Sequence, residues 1–133
     1  MYTENTRTST NRSTGTTMKP ITIINPKLLD RLSIFINIGA ITLYPFIISR
    51  EKMHVVTLNH EKIHLKQQAE LLLIGFYALY VMWWCIGLLK GLGSHAAYMS
   101  IPFEREAYEN HHNLEYLKTR KRFSWTSYIR TRS

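Results

Sequence analysis

The chain has 133 residues, enough for one domain with a buried hydrophobic core and too few for a second such domain. It carries 17 Lys and Arg against 9 Asp and Glu, and its formal net charge of +8 favours contact with an anionic surface, either a membrane or a nucleic acid. Its single cysteine lies in an apolar run, which excludes a disulfide framework and a cysteine-based zinc ribbon.

Composition divides the chain into three parts. Residues 1–19 are dominated by Thr, Ser, Asn and Arg and contain no apolar run, so we predict a disordered tail and no secretory signal peptide. Residues 20–122 form the predicted domain. Residues 123–133 are a basic, aromatic C-terminal tail, which either lies on an anionic surface or anchors its aromatic rings in the core. This organisation fits a membrane-associated or a cytoplasmic protein.

The first part of the domain predicts β structure. Residues 32–49 carry no charge and are rich in β-branched side chains, and Pro45 suits an edge strand. We therefore expect a short antiparallel β element within residues 21–56, followed by three or four helices. The predicted fold class is a mostly helical α+β domain.

A helix is predicted next. Residues 55–57 have the composition of the end of an extended run, and Thr57 or Asn59 is a suitable N-cap for a helix that starts there. No helix breaker occurs between residues 58 and 74, and apolar side chains recur at helical spacing.

The most informative motif lies on this helix. Residues 60–64 read His-Glu-Lys-Ile-His, an HExxH sequence. On a helix, His60 and His64 lie on one face, and their imidazoles can bind one metal ion. Glu61 is placed to take a proton from a metal-bound water. The motif therefore predicts a zinc site and a hydrolytic reaction.

A catalytic zinc needs a third protein ligand, and the residues after the motif offer several. These candidates are His95, Glu104, Glu106, His111 and His112. Glu104 falls in the first turn of a helix predicted from about residue 102 to 119, with Pro102 at its start. His111 shares the face of Glu104 but lies about 10 Å farther along that helix, so one ion is not expected to take both. The residue types alone leave the third ligand open.

The motif and its downstream partner resemble a known family. HExxH followed some tens of residues later by ExxA on a second helix is the pattern of the gluzincin zinc metallopeptidases, and residues 104–107 match ExxA. The resemblance implies a zincin-like fold, with Glu104 as the third zinc ligand and Glu106 without a role. Many gluzincins place an aspartate one turn after that ligand, where this chain has Tyr108. Tyr108 can orient a ligand or donate to an oxyanion, so it joins Glu61 as a catalytic candidate.

The wider sequence is similar to a group of small, mostly uncharacterised bacterial proteins. They share an Ile-Thr-Leu-x-Pro-Phe strand, a His-Glu-x-x-His-x-x-Gln helix and a Phe-Glu-Arg-Glu-Ala-Tyr segment, which are residues 41–46, 60–67 and 103–108 here. The resemblance covers about residues 34 to 122. It implies a zinc metallopeptidase and does not identify a substrate.

An uncharged run of 19 residues follows the motif, at 71–89, and its length alone suits a membrane span. A straight helix up to Lys90 would end about 39 Å beyond His64. Glu104 would then have to return through the bilayer as a strand without hydrogen bonds, which hydrocarbon does not tolerate. A straight span and the metal site therefore exclude each other.

We resolve this conflict with a break in the helix. Gly75 is the expected position, and a second helix is predicted over about 76–90, packed back against the first. A domain of this size cannot cover every apolar side chain on that second helix. The uncovered part of residues 76–89 suggests a membrane surface or an oligomer interface.

Together these features predict a zinc metallopeptidase with Glu61 as general base. Its substrate would be a peptide or protein, aligned in extended form along an edge strand near residues 41–48. Gln67 and Gln68, one turn beyond His64, either hold the helix packing or line the cleft, or are ordinary polar residues of the helix; the last interpretation is preferred. Two other classes remain open. One is a membrane-associated structural or assembly subunit with a vestigial or non-catalytic HExxH. The other is a nucleic-acid-binding protein, ranked last because no recognised nucleic-acid motif supports it.

Overall fold

Helices make up most of the residues that the structure describes, and a small sheet precedes the longest of them. The computed structural model describes residues 20–32 and 39–130; the predicted tail, residues 1–19, lies outside them. The strands are β1 (Ile21–Ile24), β2 (Ala40–Leu43) and β3 (Phe46–Ser49). The helices are α1 (Pro26–Leu32), α2 (Val55–Leu89), α3 (Ser94–Ser100), α4 (Pro102–Asn110) and α5 (Tyr116–Thr119), with a 3₁₀ helix at Ser124–Tyr128. The predicted mostly helical α+β class agrees with this order.

The sheet is mixed, and the prediction of a purely antiparallel element is wrong. Its strand order is β1-β3-β2, with β2 antiparallel and β1 parallel to β3. The predicted edge strand near 41–48 is therefore correct only for β2, because β3 is the central strand. Residues 21–56 also contain helix α1, which begins at an N-cap that the sequence provides. Asn25 accepts a hydrogen bond from Leu28 N–H as an N-cap, and Pro26 follows in the first turn.

Helix α2 begins earlier than predicted. Its first helical residue is Val55, and the His54 ring caps it by accepting a hydrogen bond from Val56 N–H at 3.3 Å. The predicted extended run at 55–57 is therefore the first turn of the helix. The imidazole supplies an acceptor for a free N–H group, a role that serine and aspartate more often fill.

The long helix reverses direction at Leu72, where φ is 60° and ψ is 165°. Beyond the break, the Phe76 ring lies 6.0 Å from the His64 ring, whereas twelve residues of straight helix would separate their backbones by about 18 Å. The break falls three residues before the predicted Gly75, which stays helical. By length and composition Val55–Leu89 passes as a candidate membrane span, because an 18-residue window within it has a mean hydropathy of 2.0.

The second half of α2 ends as predicted near Gly91. This glycine has φ +84°, and Leu92 N–H bonds back to Gly87 O at 3.1 Å, which closes the helix. Helix α3 then packs directly on Gly87, where an added Cβ would lie 2.8 Å from the Ala97 Cβ. Because α3 packs so closely on α2, the chain turns back, and the helix that follows, α4, starts next to the first half of α2.

The core lies between the two halves of α2 and helix α4. Its buried members are Phe76, Ile101, Phe103 and Trp125. The Trp125 ring lies 4.9 Å from the Phe103 ring, so the aromatic C-terminal segment anchors in the core, as one of the two sequence interpretations proposed. Helix α4 is shorter than predicted and ends at Asn110.

Candidate metal centre

Three buried side chains from two helices converge on one point. His60 and His64 project from the first half of α2, and Glu104 projects from the first turn of α4. Their relative exposures are 7, 6 and 4 %, respectively. His60 Nε2 lies 3.1 Å from His64 Nε2 and 3.2 Å from Glu104 Oε2, and His64 Nε2 lies 3.3 Å from Glu104 Oε1.

These spacings suit a metal ion. Donors about 2.0–2.1 Å from a tetrahedral ion are separated by roughly 3.3 Å, and all three measured separations are close to this value. Only one of the candidates for a third ligand lies near the two histidines. Glu104 joins the two histidines, and among the described residues no other predicted candidate is part of this group. The described part of the chain therefore contains a His-His-Glu set that can hold a metal ion.

Electrostatics favour a cation at this point. Burial opposes a charged imidazolium, but the Glu104 carboxylate outweighs it and raises the pKa of His64 to about 9. Burial likewise works against ionisation of Glu104, yet the two imidazoles facing it hold its pKa well below the usual range. Without a metal, a proton on His64 therefore supplies the positive charge that the carboxylate requires.

Metal binding should consequently release a proton. At pH 7 His64 is protonated in the metal-free protein, because its pKa of about 9 lies above that pH, and a metal binds only the neutral ring. We expect the apparent affinity to rise about tenfold per pH unit up to about pH 9 and to level off above it. Calorimetric titration with Zn²⁺ in two buffers of different ionisation enthalpy measures the released proton. Identical heats in both buffers would contradict this prediction.

A buried glutamine orients the second histidine. Gln67 Nε2 donates to Glu106 Oε2 at 2.9 Å and to Phe103 O at 3.1 Å, and both of these atoms can only accept. Gln67 Oε1 must therefore face His64 Nδ1, 2.8 Å away, which carries the proton and donates it. The lone pair of the neutral ring is thus placed on Nε2, the atom that faces the metal position.

Glu106 is in turn fixed by the end of the domain. Its carboxylate accepts hydrogen bonds from Tyr116 OH and from the Arg120 guanidinium, which also pairs with Glu70 on α2. Glu106 has no exposed surface, and the Arg120 side chain is nearly buried. Glu106 is absent from the group that can hold a metal ion, as expected, but it supports that group through Gln67. Gln67 holds the packing of the two helices, so its interpretation as an ordinary polar residue is wrong. Neither partner is visible from local spacing, because Gln67 and Glu106 are 39 residues apart.

The Gln67 contact makes a testable prediction. Gln67→Leu should weaken metal binding about 10–100-fold, because His64 then has no acceptor that selects its Nδ1–H tautomer. Gln68→Leu is the matched control, since it removes the neighbouring buried glutamine, whose bonds run to β2 and not to His64. Competition titration with a chromophoric chelator measures both affinities. Equal losses in the two variants would mean that general destabilisation, and not ring orientation, is responsible.

The returning half of α2 supports the carboxylate ligand. Tyr80 OH donates to Glu104 Oε1 at 2.8 Å, and burial together with the Glu104 charge raises the pKa of Tyr80, so it remains a donor. Because Tyr80 lies beyond the break at Leu72, this contact exists only when the helix folds back. The break and the metal centre are thus parts of one arrangement.

Glu61 is buried beside the metal cluster and is held by the sheet. Its Oε2 accepts a hydrogen bond of 2.5 Å from Thr42 Oγ1 on β2. Its negative charge also contributes to the raised pKa of His64. A carboxylate fixed on one oxygen keeps its other oxygen for a second proton donor. This geometry suits a proton acceptor.

The neighbouring glutamine binds the edge strand. Arg50 N–H bonds to Gly39 O across the β2–β3 ladder, and alternation therefore turns the N–H and C=O of Thr42 away from β3. Gln68 Nε2 donates to Thr42 O, and Gln68 Oε1 accepts from Tyr44 N–H, both at 2.7 Å. Gln68 therefore docks β2 on the helix and is more than an ordinary polar residue.

This contact narrows the predicted peptide-binding edge. Thr42 O also accepts a hydrogen bond of 2.6 Å from Tyr77 OH. The outer edge at residues 42–44 is thus already bonded on the carbonyl of Thr42 and the N–H of Tyr44. An added strand would pair with the earlier part of β2, at Ala40 and the N–H of Thr42.

Two aromatic rings stand beside the first histidine. The Tyr108 ring lies 4.5 Å from the His60 ring, and Tyr108 OH lies 3.4 Å from Tyr98 OH. The His111 ring lies 5.6 Å from the His60 ring and 4.3 Å from the His112 ring. Tyr108 is 39 % exposed, so it stands between the centre and solvent. Tyr108 and His111 are therefore neighbours of one histidine of the candidate metal cluster, His60.

The loop that carries His111 is tied to the metal-binding helix. Asn59, next to the first histidine, donates from Nδ2 to His111 O at 2.8 Å and to Asn113 O at 3.1 Å. His95, another predicted candidate, is exposed on α3 and contacts Tyr98. The fold and the site thus define an α+β protein with a buried His-His-Glu cluster of metal-binding geometry. No protein-family model matches the chain, and no curated protein or solved structure shows significant similarity to it.

Proposed function

We propose that the chain is a zinc-dependent metallopeptidase with a zincin-like fold. The observation that carries the proposal is the triangle of buried donor atoms from His60, His64 and Glu104, with Glu61 adjacent on the same helix. Two imidazoles and one carboxylate are a donor set that zinc enzymes use, and three protein ligands keep a fourth position open. Zinc bound there would act as a Lewis acid and lower the pKa of a water molecule at that position to about 7.

The chain's own residues supply the remaining chemistry. Glu61 accepts the proton of the attacking water and passes it to the leaving amine. Thr42 holds one carboxylate oxygen of Glu61 by its 2.5 Å hydrogen bond, which leaves the other oxygen to accept that proton. Tyr108 stands beside the site with a hydroxyl that can donate to the developing oxyanion.

The position of β2 beside Glu61 supports a peptide or protein substrate. A peptide or protein segment in extended form can pair with the part of the β2 edge that no described strand occupies, at Ala40 and Thr42 N–H, beside Glu61. The test is whether hydrolysis of an unfolded protein substrate requires both zinc and Glu61.

The second candidate function is a membrane-associated subunit that holds a metal without catalysis. The long apolar stretch of α2 favours a membrane location. The three clustered side chains join α2 to α4, and the buried network around Glu106 joins the same two helices to Arg120, so both arrangements have a structural role. In that case, the metal would stabilise the fold, and the zinc-loaded protein would not cleave peptides.

A further inference from the structure

One face of the second half of α2 is apolar, and the described part of the chain does not cover it. Apart from Leu73, which lies beside the break, the seven exposed side chains of this half fall within about 120° of the helix circumference at 100° per residue. They are Ile74, Ala78, Val81, Met82, Cys85, Leu88 and Leu89. The two terminal members, Ile74 and Leu89, are 86 and 88 % exposed. We call this set the apolar face; it contains no polar side chain and runs for about 25 Å.

The opposite side of the same helix is in contact with the protein. Phe76 and Gly87 are buried there, and Tyr77 and Tyr80 bond to the strand and to the metal-binding carboxylate. A helix at a water-exposed protein surface normally carries charged residues on its outer side. The apolar face therefore requires a nonpolar neighbour that the described chain does not provide.

Charges of one sign surround this face. No acidic residue occurs between Glu70 and Glu104, while Lys90 follows directly after the helix. At the other end, the Arg120 bond to Glu70 places the exposed Lys121 and Arg122 beside the break. The exposed side chains of Leu72 and Phe123 lie at that same end. Both ends of the apolar face thus carry basic groups.

We propose that the apolar face lies on the surface of an anionic lipid bilayer. Its side chains enter the boundary between headgroups and acyl chains, and the basic residues at both ends contact lipid phosphates. A second copy of the chain fits less well. A parallel pair would bring Lys90 onto the partner's Lys90, and an antiparallel pair would bring it onto the partner's Lys121 and Arg122.

Vesicle binding by the full chain tests this proposal, and it does not depend on the proposed hydrolysis because no zinc is needed. The probes are vesicles of pure phosphatidylcholine and vesicles with about one third phosphatidylserine. We expect Val81→Asp, at the centre of the face, to weaken binding to the anionic vesicles by about tenfold or more. Val55→Asp adds the same charge to another exposed valine, at the start of α2, and should bind within about twofold of the unchanged protein.

A second variant tests the charge. Replacing Lys121 and Arg122 together by alanine should reduce binding to the anionic vesicles about tenfold or more and leave binding to neutral vesicles unchanged. A far-UV circular dichroism spectrum and a melting temperature like those of the unchanged protein show that each variant is folded. Equal binding of Val81→Asp and Val55→Asp would overturn the proposal. So would a dimer that Val81→Asp dissociates without any effect on vesicle binding, because the face would then bind a second copy.

Discussion

Replacing Glu104 by glutamine should weaken zinc binding about a thousandfold and leave the fold intact. The estimate follows from the total free energy of a zinc site, about 10–16 kcal/mol, shared among its ligands. A neutral amide is a poor zinc ligand, but its oxygen can still accept the hydrogen bond from Tyr80 OH. The glutamine variant therefore loses the metal but keeps the packing. An alanine variant would lose both, because it would leave Tyr80 OH without a hydrogen-bond acceptor.

The measurement is a chelator competition titration together with the metal content of the purified protein. Glu109→Gln is the matched control, because Glu109 lies on the same helix, is exposed and is absent from the metal cluster. It should keep zinc at one ion per chain. If Glu104→Gln bound zinc with the affinity of the wild type, the three clustered side chains would not be the site that holds the ion.

The sequence could predict that the long helix breaks, but not where. The length of the chain predicts the break, because a straight helix would carry Glu104 too far from His60 and His64 for the three side chains to share one ion. Gly75 has the highest intrinsic flexibility in the region, yet the break lies at Leu72. Glu70 is bonded to Arg120 on one side, and Phe76 is buried against Phe103 on the other, so the reversal must fall between them. Tertiary contacts place an uncommon positive φ on a leucine.

The candidate metal ligands and the residues that hold them in place differ in how far they can be predicted from the sequence. His60 and His64 follow from a local spacing of four residues, which a helix translates directly into a shared face. Glu104 was selected among several acids and histidines only through the resemblance to gluzincins. Gln67 and Glu106 were missed, because a hydrogen bond between residues on separate helices leaves no periodic trace in the sequence.

The sheet shows the same limit. Pairing of β2 with β3 is local, across a two-residue turn, and the apolar β-branched run indicated it. Pairing of β1 with β3 is parallel and joins Ile21 to Phe46, so no turn signal specifies it. Helix α1 was not predicted for another reason. Asn25 and Pro26 form a local helix start signal, but the β-branched residues around them favoured a strand.

Replacing Glu61 by glutamine should lower kcat for peptide hydrolysis about a thousandfold or more while zinc remains bound. General-base catalysis contributes typically 10²–10⁴-fold, and an amide cannot take the proton. The substitution is otherwise mild, because glutamine keeps the volume and still accepts the hydrogen bond from Thr42 Oγ1.

The assay compares zinc-loaded wild-type protein and Glu61→Gln on an unfolded protein substrate, with metal content measured on the same samples. Restored activity on adding zinc after chelation would link cleavage to the metal in the wild type. Activity of the variant within tenfold of wild type, at equal zinc content, would show that Glu61 is not the base. A zinc-loaded wild type that cleaves nothing would select the other proposal, a metal whose work is to join α2 to α4. That outcome would leave the Glu104→Gln prediction standing, because holding the ion and activating a water make separate demands on the same cluster.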